Sequence, residues 1–266
     1  MVALTLMFVI IGGSVGGRQG AIWAFIIAAG MNFFSYWFSD KLVLRRYRAQ
    51  ELRPEDNSRL FSIVARLVEK TGMPMPRVFL IPEKNPNAFA TGRNPKHAAV
   101  AATQGIMEIL SDDELAGVMA HELAHVKHRD ILTSTIAATF AGAIATLGQI
   151  ARFGVGGGQR RSNPIGLLLI IVAAPLGAML LRMAISRTRE YAADRGGAEI
   201  SGMPMALASA LGKLHLGAQR IPITRGNPAH SHLFIVNPFM GGLQKLFSTH
   251  PPMDERIRRL KRLAAG

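Results

Sequence analysis

Residues 111–130 read SDDELAGVMAHELAHVKHRD and contain the strongest indications of both the fold and the chemistry of the chain. Ser111, followed three residues later by Glu114, forms a capping box, the pattern that opens an α-helix. An apolar run follows the box directly. We therefore predict a helix that runs to about Arg129.

Two histidines on this helix form a candidate metal site. His121 and His125 are four residues apart, so their imidazoles share one helix face and can reach a single ion. Glu122 is the neighbour of His121 and can act on a water held by that ion. Two imidazole nitrogens and a carboxylate oxygen suit zinc, and a catalytic site leaves the fourth position to water. The pattern predicts peptide-bond hydrolysis in which Glu122 takes the proton of that water.

A third ligand has to come from another part of the chain. The extended metzincin pattern requires Gly at position 128 and His at position 131, where this chain has His128 and Ile131. A glutamate on a second helix is the other solution, and the segment RTREYAAD supplies Glu190 and, four residues later, Asp194. Glu190 can bind the metal while Asp194 accepts the second ring N–H of a histidine, with His121 as the expected partner.

Composition excludes several other classes of protein. The apolar fraction is 49% and the charged fraction 18%, which excludes a disordered chain. The chain has no cysteine, so any metal must be held by histidine and carboxylate. Its net charge of +14 is concentrated beside apolar segments, and no basic patch interleaved with aromatic residues indicates nucleic-acid binding.

Long uncharged segments predict an integral membrane protein. A hydrocarbon core of about 30 Å needs about 20 apolar helical residues. Basic residues follow the second segment, which places the hydrophilic parts on the cytoplasmic side. Two N-terminal transmembrane helices are predicted within residues 1–40 and a transmembrane hairpin within 131–181. The four segments are Val2 to Gly17, Ala21 to Ser39, Ile131 to Ala151 and Pro164 to Leu181.

The remaining residues predict one catalytic domain in two parts, 41–130 and 182–266, interrupted by the hairpin. An amphipathic pattern predicts a helix over residues 54–71. Three short runs bounded by Pro, Asn and Gly predict a small β-sheet: Arg77 to Ile81, Ala88 to Thr91 and His97 to Thr103. The predicted fold class is thus mainly α with a small sheet, in an integral membrane protein.

In combination, these motifs make the chain resemble the HtpX family of membrane-embedded zinc metallopeptidases, gluzincins related to the CAAX prenyl endopeptidases. The matching blocks occur in the family's order and span nearly the whole chain. They are the runs NAFATG at 87–92, Gly117 to Asp130, Ser186 to Asp194, and THPP at 249–252 followed by ERI at 255–257.

The resemblance implies a gluzincin-type domain with one zinc ion, for which Glu190 is the third ligand. It implies that Asn87, Ala88, Phe89 and Ala90 form an edge strand to which an extended peptide is added. It also implies substrates that are unfolded or damaged membrane proteins, cleaved at the cytoplasmic face of a bacterial inner membrane. Without the family, plain sheet core explains Ala88 to Ala90 equally well.

Two further residues are candidates for stabilising the oxyanion of the transition state. His250 and Arg256 fall in the last matching block, and charge develops on that oxygen during peptide hydrolysis. Each has an ordinary explanation as well: His250 precedes two prolines, and Arg256 lies in a basic terminal helix.

Two other functions are compatible with the same residues. A membrane scaffold could use zinc only to join its two cytoplasmic parts, although a structural site has no use for Glu122. A CAAX-type prenyl protease would use the same chemistry on lipidated tails.

Overall fold

The computed structural model describes residues 2–130, 187–220 and 251–265, which are mainly helical with one small mixed sheet. The predicted fold class is confirmed at this level. In the described ranges the helices are α1 (Val2–Arg46), α2 (Arg59–Thr71), α3 (Gln104–Ile109), α4 (Asp112–Lys127), α5 (187–201), α6 (Pro204–Arg220) and α7 (Met253–Ala264). The strands are β1 (Gln50–Leu52), β2 (Arg77–Ile81), β3 (Ala88–Gly92) and β4 (Ala98–Thr103).

The described residues fall into two compact units, the first comprising 2–39 and the second 40–130, 187–220 and 251–265. The second unit thus joins the two parts of the chain that were predicted to form one domain. The predicted hairpin over 131–181 lies outside the described residues, as does His250.

The first unit contains most of α1, which is broken near its middle. Gly16 and Gly17 have non-helical backbone angles, and Gly17 has a positive φ of 58° that favours glycine. The two halves approach closely through Gly12 and Gly20, where an added Cβ on either glycine would lie within 2.4 Å of the other's carbonyl oxygen. None of the helices in the described part of the chain is both long enough and apolar enough to cross a bilayer.

Helix α2 begins later than its amphipathic pattern predicts. Residues 54–56 form a separate 3₁₀ turn, which Asn57 ends in a left-handed conformation with φ 47°. Ser58 is extended, and the α-helix starts at Arg59. The buried apolar residues of α2 recur at intervals of three and four and share one face, while Phe61 is only partly buried. The buried residues are Leu60, Ile63, Val64, Leu67 and Val68.

The sheet places β3 at an edge of the strand order β1-β2-β4-β3. Strands β2 and β4 are parallel, whereas β1 pairs with β2 and β3 pairs with β4 in antiparallel fashion. Successive side chains alternate between two buried clusters. Ala88 and Ala90 belong to the cluster that contains the apolar residues of α2 and α4, and Phe89 belongs to a cluster with Phe79 and Leu44.

Helix α4 is the buried helix of the second unit. The predicted capping box is present, since the Ser111 backbone N–H donates to Glu114 Oε2 at 2.9 Å and the Glu114 N–H donates to Ser111 Oγ at 3.3 Å. Glu114 also joins α4 to α6. Its carboxylate accepts from the Ser209 hydroxyl and from the Lys213 ammonium, each at 2.7 Å.

These contacts make Glu114 a pH-dependent part of the fold. Burial raises the pKa of Glu114, but the hydrogen bonds from Lys213, the Ser111 backbone and Ser209 outweigh it and lower the pKa from 4.5 to about 2. Because the folded-state pKa lies below the ordinary value, the stabilisation is present above pH 4.5 and is lost as the pH falls toward 2.

We therefore predict that Glu114→Gln lowers the free energy of unfolding at pH 7 by about 1.5 to 3 kcal/mol, the usual range for hydrogen bonds to a charged group. The gap between variant and wild type should close as the pH falls from 4.5 toward 2. Thermal unfolding across this range tests the prediction. Asp113→Asn is the matched control, because Asp113 is an exposed acid of the same helical turn. Equal losses in both variants would contradict a role for the contacts to α6.

Candidate metal centre

Three side chains from α4 and α5 converge on one point in the second unit. His121, His125 and Glu190 each offer a ligand atom, and these atoms lie within 4.8 Å of one another. The two Nε2 atoms are 3.2 Å apart, and the Glu190 carboxylate oxygens lie 3.8 Å from His121 Nε2 and 3.7 Å from His125 Nε2. The structure thus brings together the three ligands expected from the sequence.

The spacing of these atoms fits a zinc ion. Zinc binds His nitrogen and carboxylate oxygen at about 2.0 to 2.2 Å in tetrahedral geometry, which separates neighbouring ligand atoms by about 3.4 Å. The Nε2–Nε2 separation of 3.2 Å lies close to that value, and each Nε2 atom is within 4 Å of one Glu190 oxygen, His121 of Oε2 and His125 of Oε1. Two neutral imidazoles and a carboxylate are also the donor set that zinc favours.

Helix α5 reaches α4 through a contact made by glycine. Glu190, Asp194 and Gly197 recur at intervals of four and three, so they share one face of α5. At Gly197 an added Cβ would lie 2.8 Å from the backbone of His121, a distance that real Cβ atoms do not adopt. The absence of a side chain at Gly197 therefore lets the helix that carries Glu190 approach the helix that carries the histidines.

The imidazole of His121 is backed by Asp194 and Arg256. Asp194 Oδ1 lies 3.1 Å from His121 Nδ1, as the spacing of Glu190 and Asp194 predicts. The guanidinium of Arg256 is completely buried and donates twice to the Asp194 carboxylate, from Nε at 2.9 Å and from Nη2 at 2.7 Å. Its third nitrogen, Nη1, lies 3.2 Å from Glu190 Oε2.

Charge pairing affects the pKa values of Asp194 and Arg256 more strongly than burial does. Burial raises the pKa of Asp194, but the charge and hydrogen bonds of Arg256 outweigh it and lower the pKa to about 2. Burial likewise lowers the pKa of Arg256, while the charges of Asp194 and Glu190 raise it above its ordinary value. Both groups are therefore ionised at neutral pH, and Arg256 is bound on two sides by carboxylates rather than solvated as its basic helix indicated.

His125 has its own carboxylate, which the sequence interpretation missed. Asp130 Oδ2 lies 2.7 Å from His125 Nδ1, and Asp130 Oδ1 lies 3.0 Å from the Nε atom of Arg189. Residues five apart do not share a helix face, so this contact requires α4 to have ended. It ends at Lys127, and Arg129 then adopts a left-handed φ of 54°. The sequence indicated this contact only through the presence of an acidic residue, Asp130, five positions after His125.

Glu122 lies beside the ligands and is buried, with 5% of its surface exposed. Burial raises its pKa, although the neighbouring charges of His121 and His125 act in the opposite direction. Its carboxylate accepts a hydrogen bond from the backbone of Ala90 in β3. A carboxyl group with a raised pKa next to a metal site is suited to taking up and releasing a proton.

Strand β3 lies at the edge of the sheet next to Glu122, and only one side of its main chain pairs with β4. The backbone N–H of Thr103 in β4 donates to the Asn87 carbonyl at 2.9 Å, so Asn87 faces β4. Hydrogen-bonded residues alternate along an antiparallel pair, so the polar backbone groups of Ala88 and Ala90 point away from β4. The Phe89 side chain packs in the cluster on the opposite face of the sheet. The side chains of β3 are thus sheet core, while part of its main chain remains unpaired by β4.

Together, the fold and this site define a metallopeptidase. Residues 54–264 match the model of peptidase family M48, and the chain belongs to that family. It is 57% identical to a protease HtpX homolog of Syntrophotalea carbinolica over 99% of this chain and 96% of that one. It is 56% identical to a protease HtpX homolog of Ralstonia pickettii over 99% of this chain and 94% of that one.

A solved structure shares the fold. The chain aligns with the crystal structure of S. mikatae Ste24p with a TM-score of 0.61 and 19% identity, over 97% of this chain and 62% of that one. The family match and the HtpX homologs confirm the resemblance to the HtpX family and the metalloprotease activity, and together with the ligand group they confirm zinc as the cofactor.

We predict that Gly197→Ala weakens zinc binding, because the added methyl group pushes α5 and Glu190 away from His121. Overpacking of this kind costs about 1 to 3 kcal/mol of folding stability. Gly212→Ala is the control, since Gly212 lies in α6 with no atom within 4 Å of an added Cβ, and this substitution should stabilise the protein by about 0.5 to 1 kcal/mol. Zinc content and thermal unfolding are measured for both. Full zinc content in a folded Gly197→Ala protein would contradict the packing argument.

Proposed function

We propose that this protein is a membrane-anchored zinc endopeptidase that hydrolyses peptide bonds of unfolded or damaged membrane proteins at the cytoplasmic face. The observation that carries the proposal is the buried Glu122, placed between the three metal ligands and the edge strand β3. A zinc site that only joined two parts of a scaffold would need no such acid. The relatives named as protease HtpX homologs support an endopeptidase over a prenyl protease.

We assign His121, His125 and Glu190 as the ligands of one zinc ion. When bound, zinc supplies a Lewis acid that polarises the scissile carbonyl and increases the acidity of water. Glu122 takes a proton from the attacking water and returns it to the leaving amine. Burial raises its pKa, which increases its affinity for the proton that it takes from water and passes to the amine.

Substrate is held by the main chain of β3. The N–H and C=O of Ala88 and the C=O of Ala90, which face away from β4, can pair with an extended peptide added at this edge, while the Ala90 N–H is held by Glu122. Main-chain pairing depends little on the substrate's side chains, which suits a protease for unfolded proteins. Asn87 and Phe89 position the strand, Asn87 through Thr103 and Phe89 through its buried side chain.

We assign Arg256 as a positioning residue. Its guanidinium is directed at Asp194 and Glu190, which it holds against the histidines. This contact differs from direct stabilisation of the oxyanion, the role considered from the sequence. His250 remains our candidate for that role.

We further propose a multi-pass location in a bacterial inner membrane, with membrane segments within 1–40 and 131–181. On α1, large apolar side chains are more than 40% exposed, as expected of a lipid-facing surface: Ile22, Trp23, Phe25, Ile26 and Ile27. Basic residues follow directly and include Arg45 and Arg46 in the last turn of α1. This charge bias supports a cytoplasmic location for the second unit.

The proposed catalytic roles predict opposite behaviour for two glutamates. Glu122→Gln should keep full zinc content and lose cleavage of unfolded casein by at least about 100-fold, because only the proton acceptor is removed. Glu190→Gln should lose zinc and activity together. Metal analysis and the cleavage assay are run on the same detergent-purified samples. Cleavage at the wild-type rate by Glu122→Gln would overturn the catalytic assignment, and full zinc content in Glu190→Gln would overturn the ligand assignment.

The proposed orientation is tested with single cysteines, because the natural chain has none. Arg18→Cys lies at the exposed turn between the halves of α1, and Glu51→Cys is exposed in the second unit. A membrane-impermeant maleimide should label Arg18→Cys from outside intact spheroplasts and Glu51→Cys only in inverted vesicles. Labelling of both cysteines from the same side would contradict the orientation, and release of the protein by alkaline carbonate would contradict anchoring.

A further inference from the structure

We propose that Asp130 and Arg189 form a second positioning pair of the metal site, acting on His125 as Asp194 and Arg256 act on His121. The inference rests on the proposed zinc site and adds two residues to it. Its basis is a repeated arrangement in which each histidine has one carboxylate behind it and each carboxylate has one guanidinium.

The distances in the two arrangements correspond closely. His125 Nδ1 is 2.7 Å from Asp130, which is 3.0 Å from the Nε atom of Arg189. On the other side, His121 Nδ1 is 3.1 Å from Asp194, whose carboxylate accepts hydrogen bonds of 2.7 and 2.9 Å from Arg256. Both histidines therefore use Nδ1 for the carboxylate and direct Nε2 toward the shared metal position.

The contact with Asp130 fixes the proton of the His125 ring. An ionised carboxylate only accepts hydrogen bonds, so Nδ1 must carry the hydrogen. The other nitrogen, Nε2, then keeps the lone pair that a metal requires. Such partners orient the ligating histidine and raise its basicity, and their loss typically weakens metal binding by 10- to 100-fold.

Arg189 is needed because Asp130 is buried. Asp130 has 6% of its surface exposed, and a buried carboxylate is costly unless it is paired and hydrogen-bonded. The side chain of Arg189 is only 16% exposed and lies next to Glu190 in sequence. Its charge therefore stabilises the carboxylate behind His125 from the same helix that carries the third ligand.

The pair also joins two points that are distant in sequence. Asp130 follows the end of α4, and Arg189 lies in the first turn of the described part of α5, 59 residues later. The ion pair thus ties the end of the helix that bears the histidines to the described part of the helix that bears Glu190. It fixes the separation of the ligands at the end of the site opposite Gly197.

The test is the zinc affinity of the full-length protein, measured by competition with a chromogenic chelator. We expect a 10- to 100-fold weaker affinity for Asp130→Asn and a smaller loss for Arg189→Gln. The double variant should lose less than the product of the two single losses, because the residues act as a pair. Asp254→Asn, which changes an exposed acid at the start of α7, should bind zinc like the wild type.

A second readout separates positioning from a general loss of folding. The visible spectrum of the Co²⁺-substituted protein should shift in Asp130→Asn and remain unchanged in Asp254→Asn, and saturating zinc should restore kcat with KM unchanged. Wild-type affinity in Asp130→Asn would overturn the inference while leaving the zinc site intact. If Asp130→Asn does not fold, Arg189→Gln decides, and wild-type affinity there overturns the pair. Failure of the wild-type protein to bind zinc would instead overturn the proposed function itself.

Discussion

The close approach of α5 to α4 is the constraint on which the rest of the site depends. Gly197 lies against the backbone of His121, where an added Cβ would come within 2.8 Å, and this contact sets the distance between the two helices. At that distance the Glu190 carboxylate meets both imidazoles. The geometry of the three ligands therefore depends on the absence of a side chain at Gly197 as well as on the ligand residues.

The close packing of α4 and α5 brings several buried charged groups together, and carboxylates are paired there with guanidiniums. Four carboxylates lie at or behind the ligands: Glu122, Glu190, Asp130 and Asp194. The guanidiniums of Arg256 and Arg189 offset two of these charges. The buried carboxylates therefore outnumber the guanidiniums beside them. Because unpaired buried charge is costly, this excess of carboxylates favours a cation at the ligands.

The sequence was most informative where chemistry and helical spacing coincide. The spacing of His121 and His125 places them on one helix face, with Glu122 beside them. Glu190 and Asp194 share a face of a second helix, but the family resemblance was needed to identify Glu190 as the third ligand. Asp130 could not be found in this way, because its position depends on the left-handed turn at Arg129. The ion pairs of Arg256 with Asp194 and Glu190 could not be predicted either, because a basic helix indicates solvent-exposed side chains. The three predicted strand runs were correct to within a residue, but their order in the sheet depends on tertiary packing.

The hydrogen bond from the Ala90 backbone to Glu122 links the two halves of the proposed mechanism. A peptide added to β3 lies at a fixed distance from that strand, and Glu122 is held by the same strand. The base is thus positioned relative to the bound peptide backbone rather than to any substrate side chain. Every unfolded protein has the same backbone. A site built in this way therefore positions the scissile peptide bond accurately but has little selectivity for the side chains around it.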